Sequence, residues 1–183
     1  MRLFQSLIPA SALVVLLTAC GSGESNVESG NREGYLHYGN GAEPQGLDPQ
    51  VVTGVPENHI VRALFEGLAV KNPKTLEPEP GVAERWEISE DGTVYTFYIN
   101  PKAKWSNGEA MTASDYVWSW NRALHPDTGS LYAYMLYPII NSEAYSKREI
   151  TDFNEVGVKA LDDQTLQVTL NAPTPYFLQL MAH

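Results

Sequence analysis

Side chains able to do chemistry are few and scattered in this sequence. The single cysteine, Cys20, directly follows the longest apolar run and precedes a stretch rich in Gly, Ser, Asn and Glu. One cysteine cannot form an internal disulfide, so it is a buried filler, a reactive thiol, a metal ligand or an attachment point. The polar residues just downstream offer it no burial. Carboxylates gather at two turns, Glu87, Glu90 and Asp91 at one and Asp162 and Asp163 at the other. Paired carboxylates do general acid and base work only where their surroundings drive their pKa values apart, which exposed turns rarely do, so these are expected to be solvated turn residues. His37, His59, His125 and His183 lack the i, i+4 spacing or companion cysteines of a zinc site. No phosphate loop and no nucleophile elbow occurs. The chain is therefore expected not to be an enzyme and to need neither metal nor cofactor.

The neighbourhood of Cys20 selects among its roles. Residues 1–19 open with Met1 and Arg2 and run through apolar residues to small ones, the plan of a secretory signal. The run is interrupted by Ser6, Pro9 and Ser11 and is shorter than the ~20 apolar residues of a spanning helix. Leu17-Thr18-Ala19-Cys20 resembles the bacterial lipobox, which implies cleavage before Cys20 and lipid attached to its sulfur. Residues 20–34 are too polar to bury a core and are expected to form a flexible tether. Loss of Arg2 would take the formal net charge from −10 to −11. So acidic a chain is not expected to bind nucleic acid or to hold a membrane through basic contacts, which leaves the lipid as the anchor.

From residue 35 on the chain has the patterning of a globular protein, and no internal repeat is visible. Tyr35 to Tyr38 is a candidate strand. A helix should open at Pro56 and end by Gly67, with Ile60, Val61, Leu64 and Leu68 on one face. Asp91-Gly92 between Arg85–Ser89 and Val94–Ile99 predicts a tight hairpin with Tyr95, Phe97 and Ile99 on one face. Asn107-Gly108 is a further turn. Thr112 and Asp115 form an N-cap signature for a helix carrying Val117, Trp120 and Leu124 and stopping before Pro126. Val156–Leu161 and Thr165–Leu170 should pair across the turn at Asp162-Asp163. Trp86, Trp105, Trp118 and Trp120 are expected in core or hairpin packing. Helices mixed with hairpins predict an α+β class.

These segments carry a resemblance. Ala83-Glu84-x-Trp86, Ser89-x-Asp91-Gly92, Tyr95-Thr96-Phe97, Lys104-Trp105-Ser106-x-Gly108 and Thr112-Ala113-x-Asp115 stand in the order and spacing of extracellular solute-binding proteins of family 5. Leu47-Asp48-Pro49, Gly54-Val55-Pro56-Glu57, Leu64-Phe65-Glu66-Gly67-Leu68 and Val158-Lys159-Ala160-Leu161-Asp162-Asp163 resemble the oligopeptide binders in particular. Two positions depart: Asn100, where relatives usually carry an arginine, and Thr53, where oligopeptide binders carry a glutamate.

The resemblance implies the N-terminal part of a periplasmic-binding-protein-like, two-lobed fold (type II, cluster C). Residues 35–70 would begin the first lobe, and residues 71–183 would be a small inserted domain truncated at its C-terminal end. It implies a lipoprotein outside the cytoplasm, in the periplasm or on the cell surface. There it would capture extended oligopeptides in a cleft and deliver them to the permease subunits of an ABC importer, as a monomer when full-length. Thr53, Gly54, Val55 and Tyr132 would meet the peptide. Alternatives are another solute of the same family (a dipeptide, murein peptide, signalling peptide or nickel) or a surface lipoprotein with no transport role. If Cys20 carries the lipid, Cys20→Ala should release the protein from membranes or block its processing; a mutant still anchored and cut at the same bond, seen by fractionation and N-terminal sequencing, would refute the assignment.

Overall fold

The computed structural model describes residues 23–183, so Cys20 and the expected signal lie outside the described residues. Two compact units divide at Asn40/Gly41. In the first, the stretch expected to be an unstructured tether contains an eight-residue helix, α1 (Asn26–Glu33). Its ends are satisfied locally rather than by burial: the Glu28 amide donates to Ser25 Oγ at 3.2 Å and the Ser25 amide donates to Glu28 Oε2 at 2.9 Å. At the other end Gly34 takes a left-handed φ of 77°, and its N–H closes on the Gly30 carbonyl at 2.8 Å. Composition reflects the missing core, whereas the helix is held by these caps. The strand expected at Tyr35–Tyr38 does not form: neither sheet includes these residues, and an extended segment becomes a strand only by pairing.

In the second unit, residues 41–183, the helix after Gly54 is α2 (Val55–Leu64), which ends three residues short of Gly67. Its expected apolar face is only partly covered; Leu64 is exposed, and Leu68, beyond the helix, is buried. A two-stranded antiparallel ribbon follows, β1 (Ala69–Lys71) with β2 (Pro78–Pro80).

The main sheet has four antiparallel strands in the order β3 (Ala83–Ile88), β4 (Val94–Ile99), β6 (Thr165–Thr169), β5 (Val158–Asp162). Both predicted hairpins are present. In the first, Gly92 adopts a φ of 69°, which a side chain would strain, and Asp91 accepts from the Ser89 hydroxyl at 2.6 Å and from the Thr93 amide at 3.1 Å. The register lines up Trp86, Phe97, Leu166 and Ala160 across the sheet, and beside them Ile88, Tyr95, Val168 and Val158. Phe97, Leu166 and Val168 are completely buried, as alternation demands of one face. On the other face Arg85 lies opposite Tyr98, its guanidinium 3.3 Å from the ring centroid.

α3 (Ala113–Leu124) crosses β5 and β6 and begins in the predicted capping box, the Thr112 amide donating to Asp115 Oδ2 at 2.7 Å. Ala113 and Leu124 are fully buried and Trp120 is partly so, while Trp118 is 67% exposed, against the expectation of core packing. Two residues apart on a helix is about 200°, so a core-facing Trp120 turns Trp118 to solvent. The short helices α4 (Ser142–Ser146) and α5 (Phe177–Leu180) complete the unit. Phe177 packs its ring 4.9 Å from that of Tyr95. Phe97→Ala should cost about 3–5 kcal/mol, because it opens a cavity between Trp86 and Tyr95. Glu90→Ala, in an exposed turn, should stay within ~0.5 kcal/mol of the parent. Urea midpoints at unchanged slope measure both, and equal costs would mean that the sheet face is not the core.

Candidate functional site

The four residues implicated by resemblance come together in part. Thr53 and Gly54 form the extended approach to α2, Gly54 at φ −81° and ψ 156°, and Val55 opens the helix with its side chain 67% exposed. Tyr132, 79 positions away from Thr53, donates its hydroxyl to the Thr53 carbonyl at 3.4 Å, at the long end of hydrogen-bonding range. Tyr132 precedes a short 3-10 turn, Ala133–Leu136, pinned by the buried Ala133. Its ring meets Tyr134 and His183 edge-on, with centroids 6.1 and 6.0 Å away. Burial, with Lys71 and Arg62 as lesser causes, holds the His183 imidazole below its usual pKa. Among the described residues, the N–H groups of Thr53 and Gly54 donate no backbone hydrogen bond. An extended backbone whose N–H groups are not used in backbone pairing, set beside aromatic rings, suits an extended chain laid along it.

Contacts distant in sequence hold this segment in place. Arg122 of α3 grips Asp48 with two N–H groups, on Oδ1 at 3.0 Å and on Oδ2 at 2.5 Å, and also donates to the Gln50 side-chain oxygen. Gln50 Nε2 donates to the Ser119 carbonyl and hydroxyl, each at 2.7 Å. The amides of Val51 and Val52 both close on the Asp48 carbonyl at 3.1 Å, making a tight turn just before Thr53. Glu57, 4% exposed, accepts the Gln45 amide at 2.6 Å. Asp48 and Glu57 stand inside segments that carry the resemblance, yet no local spacing rule links Asp48 to a residue 74 positions on.

The Arg122 guanidinium, acting chiefly through its hydrogen bond, holds the Asp48 carboxyl below the usual range against the opposing effect of desolvation. The turn carboxylates have other work. Asp91 is held low by the Ser89 hydroxyl and the Thr93 amide, and Asp162 by the Gln164 amide, so both act as ionised turn acceptors. Among the described residues, no group of three or more His, Cys, Asp or Glu side chains could hold a metal ion. Two hollows, of about 130 Å³ between His125, Tyr145 and Arg148 and about 260 Å³ beside Asn141 and Lys147, include none of the four residues. Both are smaller than the ~300–1,000 Å³ of ordinary ligand pockets.

The family model for bacterial extracellular solute-binding proteins, family 5 Middle, matches residues 77–183. The periplasmic oligopeptide-binding protein OppA of Salmonella typhimurium is 42% identical over 98% of this chain and 33% of its own length. The oligopeptide-binding protein OppA of Bacillus subtilis is 40% identical over 92% of this chain and 31% of its own length. Among solved structures, Haemophilus influenzae OppA in complex with the peptide RPPGFSPFR superposes with a TM-score of 0.75 at 38% identity, covering 79% of this chain and 28% of that one. The oligopeptide transporter substrate-binding domain of Bacillus anthracis gives a TM-score of 0.71 at 43% identity, covering 74% and 26%. The chain thus has the fold of a periplasmic-binding-protein-like part and spans about a third of the length of the curated relatives it matches.

Because the folded pKa of Asp48 is depressed, its contribution to docking residues 48–50 on α3 is present above the ordinary carboxylate range and is lost as pH falls through the lowered value. NMR signals of the Arg122 side chain and the Gln50 amide should therefore stay constant from neutral pH to about 4 and move below it. A transition centred above pH 5, or none while the fold melts, would exclude the pair as the docking contact.

Proposed function

The chain belongs to the bacterial extracellular solute-binding proteins of family 5, and from that premise we propose that it captures extended oligopeptides as part of the substrate-binding component of an ABC importer. The observation that carries this is the Thr53–Val55 segment: Thr53 and Val55 are exposed, the N–H groups of Thr53 and Gly54 make no backbone hydrogen bond among the described residues, and Tyr132 is set against the Thr53 carbonyl. Peptides share their main chain whatever their side chains, so recognition through backbone donors and acceptors gives breadth. In this reading Thr53, Gly54, Val55 and Tyr132 line one wall of a cleft. Residues 35–70 begin the first lobe and residues 71–183 form the inserted small domain. The protein works outside the cytoplasm, tethered through lipid on Cys20, hands its cargo to the membrane permease, acts as a monomer and catalyses no reaction. Support comes from the peptide-bound relative at 38% identity and from the carboxylates, which serve turns and docking.

Titration of the complete protein with mixed peptides, followed by tryptophan fluorescence, tests the reading. Saturable binding with intact peptides recovered is the expected result; cleaved peptides, or no binding, would overturn it. Thr53 supplies a neutral hydroxyl where oligopeptide binders carry a carboxylate. Thr53→Glu should add a charge-assisted contact of about 1.5–3 kcal/mol to lysine- or arginine-containing peptides, roughly a tenfold gain or more. An unchanged ranking of basic and neutral peptides would remove Thr53 from the site.

A further inference from the structure

We infer that Glu57 is a positioning residue for Thr53–Val55, and that Gly54 is glycine in order to make room for the Glu57 carboxylate. The inference rests on the peptide-binding reading above, which makes Thr53–Val55 the segment to be positioned.

Glu57 is the one charged side chain among the buried described residues, 4% exposed. A buried carboxylate persists only where donors replace its lost water. Oε1 receives the Gln45 amide at 2.6 Å, and that bond is the chief cause that holds the carboxyl below its usual pKa range. A glutamate at the third position of a helix commonly reaches back to the N-cap amide. This one reaches further, to a residue 12 positions earlier, and so closes the loop from Gln45 to Glu57 that contains Thr53, Gly54 and Val55.

The conformation of Gly54 gives no reason for a glycine. Its φ of −81° and ψ of 156° are open to any residue. The space around it does give one, because a Cβ at position 54 would stand 1.9 Å from Glu57 Oε2 and 2.8 Å from Cδ. These atoms end a flexible side chain, so an alanine would meet no fixed wall. It would push the carboxylate off the Gln45 amide. Gly54→Ala and Glu57→Ala therefore break one contact from opposite ends, and their effects should not add.

A double-mutant cycle on the full chain, with Glu57→Gln as the conservative variant, tests this. By NMR-detected hydrogen exchange, Gly54→Ala and Glu57→Ala should each lower protection of the Gln45 amide at least tenfold. The double variant should match the single ones within twofold, and Glu57→Gln, which keeps an oxygen acceptor, should recover most of the loss. The Thr53 and Val55 amide signals should shift in the same pattern while β4 and β6 keep their protection. Additive effects, or an unchanged Gln45 amide in Glu57→Ala, would overturn the inference. The same variants in the complete protein should lose mixed-peptide affinity in parallel, by tenfold or more. Unchanged affinity alongside lost Gln45 protection would also overturn it. A parent protein that binds no peptide defeats the peptide-binding reading, whereas the exchange cycle needs no ligand and still decides whether the Glu57 contact closes the loop.

Discussion

Strand β4 is the reference from which the rest of the 41–183 unit is measured, because it is paired along both edges, to β3 and to β6. Its alternation puts Tyr95, Phe97 and Ile99 into the core in a register that leaves no freedom to slip, since a shift of one residue would turn every one of them outward. Leu166 and Val168 of β6 are held opposite Phe97 and Tyr95, and α3 packs across β5 and β6. Once Ala113 and Leu124 are buried, the helix has no rotational choice, and that settles where Ser119 and Arg122 project. The loop before α2 takes its position from those two residues. The candidate site is thus set at third hand: sheet register places the helix, the helix presents an arginine, and the arginine holds the loop.

Charge is used economically in a chain with a formal net charge of −10. Many acidic side chains cap a turn or a helix or meet an exposed cation, as Asp91, Asp115 and Asp127 do. Asp48 and Glu57 are the two that flank Thr53–Val55, each met by donors that the fold supplies from a distance, a guanidinium for one and a backbone amide for the other. The bidentate Arg122 grip restricts geometry as well as supplying attraction, which a lysine at that position could not do. Two such contacts flank Thr53–Val55 in sequence, one before it and one after, so the segment between has little slack.

How far all this can be read from the sequence depends on the range of each interaction. Asp91-Gly92, the Thr112–Asp115 box and the alternation of Tyr95, Phe97 and Ile99 act within a few residues, and each appears where the spacing put it. The missing strand at Tyr35–Tyr38 failed for want of a partner, which no local pattern encodes. α1 forms for the opposite reason: two local caps outweigh a composition that offers no core. At Trp118 phase outweighs residue type: the helical period that turns Trp120 inward turns Trp118 outward. The docking of Asp48 and Gln50 on α3 spans 74 and 69 positions and follows only from the assembled sheet. Resemblance pointed to Thr53 and Tyr132 together; the hydrogen bond that joins them is a property of the fold.

That division bears on how such a site can bind with breadth. Ordering a loop costs roughly 1–2 kcal/mol per residue in backbone entropy, and a ligand that had to order it would lose that much of its affinity. Here the turn at Asp48–Val52 and the Gln45–Glu57 contact meet that cost during folding, before any ligand arrives. On the peptide-binding reading, the ligand would meet a segment already extended at Gly54, φ −81° and ψ 156°, and would not have to order it. On that reading, the contacts that fix the loop in the fold are what would leave its recognition to the main chain.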